Sequence, residues 1–444
     1  MLETDVLILG AGAAGLACRA RLGTARANVT LEAGAELGGL LKVRQCGAFV
    51  FDTCVHLLFF RDRSLESWAL DLLVGGVHRI EKQNLIWQHD REVPYPYQYH
   101  GYSLPLEIRH ECLAEFLRRA GTGNDHDVES ESFEDWLLRQ FGTGFYKHFF
   151  KPYNEKLYGV SPAALSARPL TWMIPSDDDR AVARGMSSDS AQQPASPSGR
   201  GFYPRGPRGV AALVDALAAL PGGAAVTDAR VQSIDPIARV VRCDSGLTYR
   251  YRTLVSSIPL PVLAEALDPL LRDLLAADEQ PRAWAELLPA TELTMIEVGS
   301  RHNGPGLDAH WTYFPDSDAP FYRLVRLEKI SPDLAPRGGT SLLLECRGKP
   351  AIRREEIIEL LLKLNVIASG EVDHFWARHV PYAYVLFTPR ARKLSRTIHE
   401  RLLAFGIHSI GRYGGWTYAS IEDALRSGVD AAHELRREVP FAKH

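Results

Sequence analysis

The sequence lacks several features that would assign a protein to a class at once. No apolar run reaches the roughly 18 residues that a helix needs to cross a bilayer, so we expect no membrane span. The six cysteines form no CxxC pair and no metal-ligand spacing, which predicts reduced thiols, no metal site and a cytoplasmic protein. The formal net charge of −3 favours neither nucleic acid nor a membrane surface as a partner. The chain opens on an apolar strand pattern, so no signal peptide is expected.

Apolar residues make up 46% of the 444 residues, which is enough for a large core and two or three domains. The most informative stretch lies near the N-terminus. Residues 6–9 are all apolar and predict a buried parallel strand, and residues 13–22 predict a helix. Between them stands Gly10-x-Gly12-x-x-Gly15. Gly10 permits a tight turn, Gly12 lets a pyrophosphate approach the backbone, and Gly15 lets the helix pack close to the strand.

The residues that follow favour FAD over NAD as the bound dinucleotide. The free N–H groups at the start of the first helix, near Ala14, would face the phosphates. A second strand over 28–31 ends in Glu32, at the distance where an acid binds the ribose hydroxyls. Soon afterwards comes Gly38-Gly39-Leu40. A second glycine pair just beyond the ribose-binding acid is typical of folds that bind FAD.

Later segments of the chain return to this crevice. Residues 229–231 are where such folds hold the adenine side of FAD through backbone groups, and residues 254–259 predict another buried strand end. A strand, a glycine-rich turn and a helix follow residue 407, and they would place a second helix N-terminus at the flavin. The cofactor-binding residues predicted from these segments are Val231, Ser257, Gly411, Arg412, Ser420 and Ile421.

The pattern of elements predicts an α/β fold with a Rossmann-type FAD-binding domain, a helical insertion and an antiparallel-sheet substrate domain. The FAD-binding domain is discontinuous and comprises residues 1–72, 202–262 and 388–444. Helical periodicity predicts a helical substrate or lid domain at 73–175, in which residues 84–93 predict a short hairpin. Alternating apolar residues predict the antiparallel sheet at 263–387. Residues 176–201 hold almost nothing apolar and predict a flexible loop, either a lid over the active site or a mobile surface loop.

Two further segments are candidates for the active site. The segment Tyr95-Pro96-Tyr97-Gln98 is too rich in proline for a helix, and exposed tyrosine rings with a glutamine amide would suit a flat base such as uracil. The alternative is a loop that packs on its own domain. His56 follows a predicted strand, at a position that tends to lie over the flavin ring in flavoproteins. It is either a hydrogen-bonding group beside the flavin or a satisfied core histidine.

Four blocks of sequence carry a resemblance to a known family. They are VPYPYQ at 93–98, KPYNEKLYGV at 151–160, HWTYFPDSDAPFYR at 310–323 and GRYGGWTY at 411–418. In this order they resemble the UDP-galactopyranose mutase family, particularly its eukaryotic branch, within the wider superfamily of protoporphyrinogen oxidases and amine oxidases. The third block is the most specific, because its internal spacing also fits. The resemblance runs from the N-terminal fold to the last helix.

The resemblance implies a redox-neutral isomerase, which fits a sequence with no convincing metal cluster and no nucleophile–histidine–acid set. In that family FAD is active when reduced, and its N5 attacks the anomeric carbon of a nucleotide-diphosphate sugar. The diphosphate leaves, the sugar ring opens and recloses as the pyranose or the furanose, and the diphosphate then returns to the anomeric carbon in place of N5. The implied substrate is UDP-galactose or a related UDP-sugar, and NAD(P)H is the implied transient reductant.

The resemblance also implies roles for individual side chains. Arg323 would stabilise the charge of the leaving diphosphate, and phenolic hydroxyls would bind the same group. The implied catalytic residues are Arg323, His56, Tyr384, Tyr418 and Asn154. The implied substrate-binding residues are Tyr95, Tyr97, Gln98, Asn154, Tyr158, Trp311, Tyr313, Arg323, Tyr384 and Tyr418. For Trp311, a packing role is the alternative.

Some positions depart from the pattern of that family. Cys54-Val55 stands where glycines usually precede the histidine, and Tyr158 stands where tryptophan is usual. Met173 and Ile174 stand where a second diphosphate-binding arginine would be expected. Two other functions therefore remain open: a true flavin oxidase or desaturase acting on an amine or an apolar polycycle, and a catalytically silent flavoprotein that binds a partner. The pattern predicts neither the sugar nor the oligomeric state.

Overall fold

The computed structural model describes residues 1–119, 131–172, 174–175, 178–187, 201–276, 283–316 and 318–437. These residues form strands β1 (Leu2–Leu9), β2 (Asn28–Leu31), β3 (Val43–Cys46), β4 (Phe49–Asp52), β5 (Val77–Ile80), β6 (Asn84–Gln88), β7 (Arg91–Pro94), β8 (Gly201–Pro204), β9 (Ala224–Val226), β10 (Val231–Asp235), β11 (Val240–Cys243), β12 (Thr248–Ser256), β13 (Ala290–Ser300), β14 (Trp311–Tyr313), β15 (Arg323–Arg326), β16 (Thr340–Arg347), β17 (His374–Val385) and β18 (Ile407–Ser409).

The α-helices are α1 (Ala13–Leu22), α2 (Arg63–Asp71), α3 (Leu106–Arg118), α4 (Phe133–Phe145), α5 (Lys151–Tyr158), α6 (Arg168–Thr171), α7 (Asp179–Ser187), α8 (Ala211–Ala219), α9 (Leu260–Ala266), α10 (Pro269–Ala276), α11 (Trp284–Leu287), α12 (Leu327–Ile330), α13 (Arg354–Lys363), α14 (Pro389–Ala404), α15 (Gly411–Gly414) and α16 (Ile421–Arg437). The part of the chain that the structure describes contains no helix with the length and apolar character of a membrane span.

The first sheet has seven strands in the order β10-β11-β12-β1-β2-β9, and β18 pairs with the C-terminal half of β12. Strands β12, β1, β2 and β9 run parallel, whereas β10 and β11 are antiparallel additions. β1 lies at the centre because Leu7, Ile8 and Leu9 are apolar and bury both of its faces. All seven strands lie within residues 1–72, 202–262 and 388–444, so three separate stretches of chain build this sheet.

The second sheet also has seven strands, in the order β17-β13-β16-β15-β14-β6-β7. Its long central strands β13 and β16 are antiparallel, but β14 pairs with β6 in parallel, so the prediction of a purely antiparallel sheet is wrong at this position. β6 and β7 form the short hairpin predicted at 84–93 within the helical segment 73–175. This hairpin extends the substrate sheet, because β6 hydrogen-bonds to a strand more than 200 residues later in the chain.

A layer of helices from α3 to α7 covers one end of this sheet. Aromatic side chains of α4 and α5 and of the π-helical turn Tyr146–Phe150 between them form its core. α7 occupies part of the segment 176–201, where we expected a flexible loop. Its residues Ala181, Val182 and Met186 are buried, and a Cβ atom on Gly101 would lie 2.2 Å from the sulfur of Met186. The loop prediction is therefore wrong for α7, and residues 176–177 and 188–200 lie outside the described residues.

The last helix of the chain packs against the first. A Cβ atom on Gly428 of α16 would lie 2.2 Å from the carbonyl oxygen of Ala14 in α1, so only glycine allows this approach. The start of α16 is fixed by the buried carboxylate of Glu422. It accepts hydrogen bonds from the backbone N–H groups of Arg61 and Asp62, at 3.0 and 2.7 Å. The N-terminal strand–turn–helix unit is thus completed by the C-terminal segment.

Candidate active site

Gly10, Gly12 and Gly15 line a crevice between β1 and α1, and each meets a different steric requirement. Gly10 has a φ of +90°, which favours glycine. A Cβ atom on Gly15 would lie 2.0 Å from the carbonyl oxygen of Gly10, so glycine is required there. At Gly12 a Cβ atom would meet no atom within 4 Å, so the space beside it is open. The hydroxyl of Ser257 fixes the turn by hydrogen bonds of 3.0 Å to the carbonyl oxygens of Leu9 and Gly10.

The N-terminus of α1 faces the open space beside Gly12 without a side-chain cap. Gly12 is the N-cap residue, and the first turn of α1 carries no acidic side chain. A helix start of this kind attracts an anion through its unpaired N–H groups and its positive dipole end. Ala14 is buried in this turn and packs against the C-terminal segment. The crevice therefore has the shape and polarity that a phosphate group requires.

Glu32 stands at the C-terminal end of β2, on the edge of the same crevice. Its carboxylate accepts hydrogen bonds of 3.0 Å from the backbone N–H groups of Ala11 and Gly34, which hold it in place. The N–H group of Ala229 donates to the carbonyl oxygen of Glu32 at 2.9 Å, which brings Val231, two residues further on, to this side of the sheet. The two segments predicted to bind the ribose and the adenine thus lie next to each other.

Gly38, Gly39 and Leu40 approach the crevice from the opposite side. The N–H group of Gly38 donates to the carbonyl oxygen of Ala11 at 2.8 Å. A Cβ atom on Gly39 would lie 3.3 Å from the Cα atom of Gly12, and both Gly38 and Gly39 have positive φ values of 118° and 58°. The second glycine pair therefore crosses directly beside the first glycine motif, as the sequence predicts.

The C-terminal segment closes the crevice with α15 and the start of α16. Gly411 has a φ of +75°, and a Cβ atom there would lie 2.8 Å from the Cβ atom of Ala14. The N–H and hydroxyl groups of Ser420 both donate to Asp423 at 2.8 Å. Ser420 therefore caps the start of α16, at the edge of the crevice where it is predicted to bind the cofactor. Ile421, the next residue, is buried.

Arg323 is the centre of a polar cleft between this crevice and the second sheet. Its Nη2 atom donates to Glu345 Oε1 at 2.7 Å and to the hydroxyl of Tyr384 at 3.2 Å. Its Nε atom is buried and has no hydrogen-bond partner among the described residues. Burial alone would lower the pKa of Arg323, but the charge of Glu345 raises the pKa well above its usual value. Arg323 therefore remains protonated, and its Nε–H group can donate to a bound molecule.

A second, partly buried guanidinium, that of Arg412, lies on the side of the cleft next to the glycine-rich crevice, because Gly411 packs on Ala14. It stacks on Tyr418 at 4.5 Å and on Tyr384 at 5.6 Å, measured to the ring centroids. It donates to the carbonyl oxygens of Ala419 and Ala383, and its Nε atom is buried without a partner among the described residues. Unpaired buried donors are costly, so this geometry favours an acceptor on a bound molecule.

His56 and Cys54 lie close to both arginines. The Nδ1 atom of His56 is 2.6 Å from the carbonyl oxygen of Cys54, which fixes the direction of the ring. Burial lowers the pKa of His56 to about 4, and the charges of Arg412 and Arg323 lower it as well. The hydrogen bond to the Cys54 carbonyl acts in the opposite direction and raises this pKa. Burial, with the charge of Glu345, raises the pKa of the Cys54 thiol to about 12. Both groups are therefore neutral near pH 7.

Several tyrosine rings complete the wall of the cleft. Tyr313 lies 5.4 Å, between centroids, from the rings of both Tyr95 and Tyr153, and its hydroxyl accepts a hydrogen bond of 3.4 Å from Asn84. Tyr158 packs edge-on against Tyr384 at 6.0 Å. A surface cavity of about 340 Å³ opens beside Tyr418 and is lined by Arg61, Trp172, Thr417, Tyr418, Ala419 and Asp423. Tyr418 thus separates this cavity from Arg412.

The sequence identifies the family to which such a crevice and cleft belong. Residues 13–436, nearly the whole chain, match the sequence model of the family described as flavin containing amine oxidoreductase. The chain belongs to this family. Its glycine-rich crevice fits a flavin dinucleotide on three observations made above: the open space at Gly12, the uncapped start of α1 and the unpaired Nε atom of Arg412.

Solved structures share the fold of this family member over almost its whole length. A crystal structure of reduced UDP-galactopyranose mutase matches with a TM-score of 0.86 and 23% identity, over 98% of this chain and 94% of that one. A protein from Exiguobacterium sp. 255-15, named as a protoporphyrinogen oxidase, matches with a TM-score of 0.74 and 14% identity, over 98% and 99% of the chains. Putrescine oxidase with bound putrescine matches with a TM-score of 0.59 and 14% identity, again over 98% and 99%. The predicted α/β fold and the resemblance are confirmed at the level of the fold.

Three predicted substrate residues have less access to the cleft than expected. Tyr97 is wholly buried and stacks on Phe149 at 4.7 Å, so the premise of exposed tyrosine rings is wrong there. Gln98 is 1% exposed, and its amide donates to the carbonyl oxygen of Pro175 at 2.7 Å. The amide of Asn154 donates to the carbonyl oxygen of Phe150 within its own helical segment. Of the loop at 95–98, only the ring of Tyr95 meets the cleft tyrosines.

Sequence reasoning missed two charged residues of the cleft, Lys82 and Glu345. Lys82 lies over the ring of Trp311 at 4.8 Å, and burial, together with the charge of Arg323, lowers its pKa to about 8. Trp311 itself is buried, in agreement with a packing role. Glu345 stands in the apolar run 341–346, and a charged residue inside a buried strand is a signal for a paired carboxylate. Lys82 has no such local signal.

One group of possible metal ligands occurs among the described residues of this family member, but its surroundings disfavour a metal ion. The ligand atoms of Cys46, Glu297 and His374 lie within 4.8 Å of one another. The guanidinium of Arg44 contacts both Glu297 and His374, and Arg378 lies 3.6 Å from the same carboxylate. Two arginine charges on one carboxylate repel a further cation. The group is therefore an ion-pair network that ties the β3–β4 hairpin to β13 and β17.

Proposed function

We propose that this protein is a flavin-dependent mutase that interconverts the pyranose and furanose forms of a UDP-sugar, either UDP-galactose or a related sugar. The observation that carries the proposal is the charge of the cleft. Arg323, Arg412 and Lys82 lie among tyrosine hydroxyls, with Glu345 as the carboxylate that pairs with Arg323. A diphosphate satisfies such a set of donors. A neutral polycycle would leave them unpaired at a cost of about 1–3 kcal/mol for each donor.

The residues of the cleft would act by binding and orienting the diphosphate. The free Nε atom of Arg323 would donate to a phosphate oxygen and would stabilise the charge that develops as the anomeric bond breaks. The hydroxyls of Tyr384, Tyr418 and Tyr313 would donate to the diphosphate. The ring of Tyr158 would pack beside the sugar. Neutral His56 would remain a fixed hydrogen-bonding group beside the flavin, because its pKa of about 4 leaves it uncharged at pH 7.

FAD would be held by the glycine-rich crevice, with its pyrophosphate at the start of α1 and its ribose beside Glu32. When bound and reduced, FAD supplies the N5 nucleophile for the anomeric carbon. NAD(P)H is our candidate for the reductant that activates it. We also propose a cytoplasmic location, in line with the six free cysteines, and a partner set limited to the nucleotide sugar, without nucleic acid or membrane.

The direct test is an isomerisation assay. The purified holoprotein is reduced with dithionite, UDP-galactopyranose or UDP-arabinopyranose is added, and the furanose isomer is separated by chromatography. We expect furanose only after reduction, so the oxidised protein serves as the matched control. Failure to isomerise a panel of UDP-, dTDP- and GDP-sugars would reject the mutase.

A second candidate function is an oxidase or desaturase of the amine oxidase type, which the family match favours. It predicts hydrogen peroxide release when the oxidised protein meets an amine. The same panel of nucleotide sugars, run beside a panel of amines, separates the two functions. Turnover of an amine together with no furanose product would replace our proposal with this one.

The charge of Lys82 predicts how substrate binding depends on pH. Because its pKa is about 8, Lys82 loses its positive charge as pH rises through this value, and the affinity for a diphosphate should fall. Calorimetric titration with UDP between pH 6.5 and 9.5 should show this decrease in the wild-type protein. In Lys82→Met the affinity should be about tenfold lower at pH 7, which corresponds to one lost charge–charge contact, and nearly independent of pH over the same range. A variant with the same pH dependence as the wild-type protein would contradict this role.

A further inference from the structure

We propose that Glu345 is a positioning residue that fixes the direction of Arg323 and limits how tightly the cleft binds an anion. The identity of that anion as a nucleoside diphosphate rests on the proposed function. The pairing itself follows from the sheet, because Arg323 of β15 stands opposite Glu345 of β16 in the register of the two strands.

Both carboxylate oxygens of Glu345 are occupied. Oε1 accepts from Nη2 of Arg323 at 2.7 Å, and Oε2 accepts from the hydroxyl of Tyr322 at 2.5 Å. The N–H group of Tyr322 also donates to the backbone carbonyl of Glu345 at 2.9 Å. The carboxylate is almost completely buried. The Tyr322 hydroxyl and the backbone hydrogen bond of the strand therefore hold the carboxylate in place, and it can orient the guanidinium bound to it.

The same carboxylate offsets part of the positive charge of the cleft. Among the described residues, neither Arg412 nor Lys82 forms an ion pair with a carboxylate. Glu345 is thus the acidic group that balances these cations. It occupies one side of Arg323 and leaves the buried Nε atom without an acceptor. An anion that binds there must compete with Glu345 for the attraction of Arg323, which weakens binding and speeds release.

Glu345→Gln tests this inference, because glutamine keeps the shape and removes the charge. The unliganded variant should unfold at a lower temperature than the wild-type protein, since Arg323 loses its buried counter-ion. Inorganic pyrophosphate should bind the variant about tenfold more tightly, and it should raise the unfolding temperature of the variant more than that of the wild-type protein. Turnover should fall because the product leaves more slowly.

The matched control is Glu328→Gln. Glu328 forms a similar buried pair with Arg326 at 2.8 Å, and in the part of the chain that the structure describes its carboxylate bonds to Arg326 and the N–H group of Ser341 rather than to a cleft tyrosine. Its replacement should lower stability without changing the affinity for pyrophosphate. A purely structural role for Glu345 would make the two variants behave alike. The proposal would be overturned if Glu345→Gln and the wild-type protein bound pyrophosphate with equal affinity. It would also be overturned if Glu345→Gln raised the pyrophosphate affinity of Arg323→Met by the same factor.

A second variant keeps the inference testable if Glu345→Gln does not fold. Tyr322→Phe removes the hydroxyl that shares the carboxylate charge, so Glu345 should attract Arg323 more strongly. Pyrophosphate should then bind about threefold more weakly, and tighter or unchanged binding would overturn the proposal. The pyrophosphate titration does not depend on sugar chemistry. Tighter binding by Glu345→Gln together with no furanose product would reject the mutase and support the role of Glu345.

Discussion

Replacement of Arg323 by alanine should lower the turnover of the nucleotide sugar by about 10²–10³-fold, the effect of removing one preorganised donor to a developing negative charge. The residue offers a buried Nε donor and is held in one orientation by Glu345 and Tyr384. UDP should also bind more weakly, because a cation of the cleft is lost. Steady-state rates on the furanose substrate and calorimetric titration with UDP would measure the two effects.

The alanine variant leaves Glu345 as an unpaired buried charge, which costs stability by itself. The double variant Arg323→Met/Glu345→Gln separates this cost from the loss of function, because it removes both charges and should regain stability but not activity. Arg323→Lys keeps a charge without the guanidinium fork, and it should retain intermediate activity. Unchanged turnover and UDP binding in the alanine variant would show that the diphosphate lies elsewhere.

Replacement of Gly12 by aspartate should abolish flavin binding while leaving the fold intact. The backbone of Gly12, with φ −78° and ψ −174°, suits any residue, and a Cβ atom there has no neighbour within 4 Å. A carboxylate in this space would repel a pyrophosphate at the start of α1 and would itself cap the free N–H groups. The purified variant should be colourless, with the circular dichroism of the flavin-free wild-type protein.

The matched control for this variant is Gly75→Asp. A Cβ atom on Gly75 would also meet no atom within 4 Å, but this glycine is exposed on the surface, away from the crevice. The control should remain yellow with the flavin content of the wild-type protein. Gly12→Ala, which adds bulk without charge, should lose less flavin than the aspartate variant. If Gly12→Asp retained a full complement of flavin, the pyrophosphate could not lie beside Gly12.

Local patterns were sufficient to predict the cofactor crevice. The strand–turn–helix unit around Gly10, Gly12 and Gly15 depends on residues that are neighbours in sequence, and its requirements for a tight turn and a close helix are steric. Glu32 and the glycine pair at 38–39 follow within the next 24 residues and pack on the same unit. Residues that are neighbours in the sequence determine the geometry of such a motif, so the sequence predicts it well.

The cleft was harder to predict, because its contacts join residues that are far apart in the chain. The pairing of Arg323 with Glu345 depends on the register of two strands, and the contact of Lys82 with Trp311 depends on the hairpin β6–β7 joining the second sheet. No local pattern specifies such a register. The resemblance predicted Arg323 but neither Glu345, which forms an ion pair with it, nor Lys82.

The loop at 95–98 shows how tertiary packing can override composition. Its prolines and tyrosines predict either an exposed loop or a loop that packs on its own domain, and the structure shows the second, because α7 and the π-helical turn before α5 cover it. The ring of Tyr97 stacks on that of Phe149. Gly185 of α7 approaches the loop so closely that a Cβ atom on it would lie 2.2 Å from the carbonyl oxygen of Tyr99. Burial of this loop depends on a helix that follows it by about 80 residues, which composition alone does not predict.

The packing of α16 on α1 has a consequence for how the protein is made. The glycine motif leaves the ribosome first, β12, which pairs with β1, emerges much later, and α16, which covers α1, emerges later still. Until then the nascent chain carries a dinucleotide crevice with one wall missing. We therefore expect a chain that terminates before α16 to bind flavin poorly, although every glycine of the motif is present.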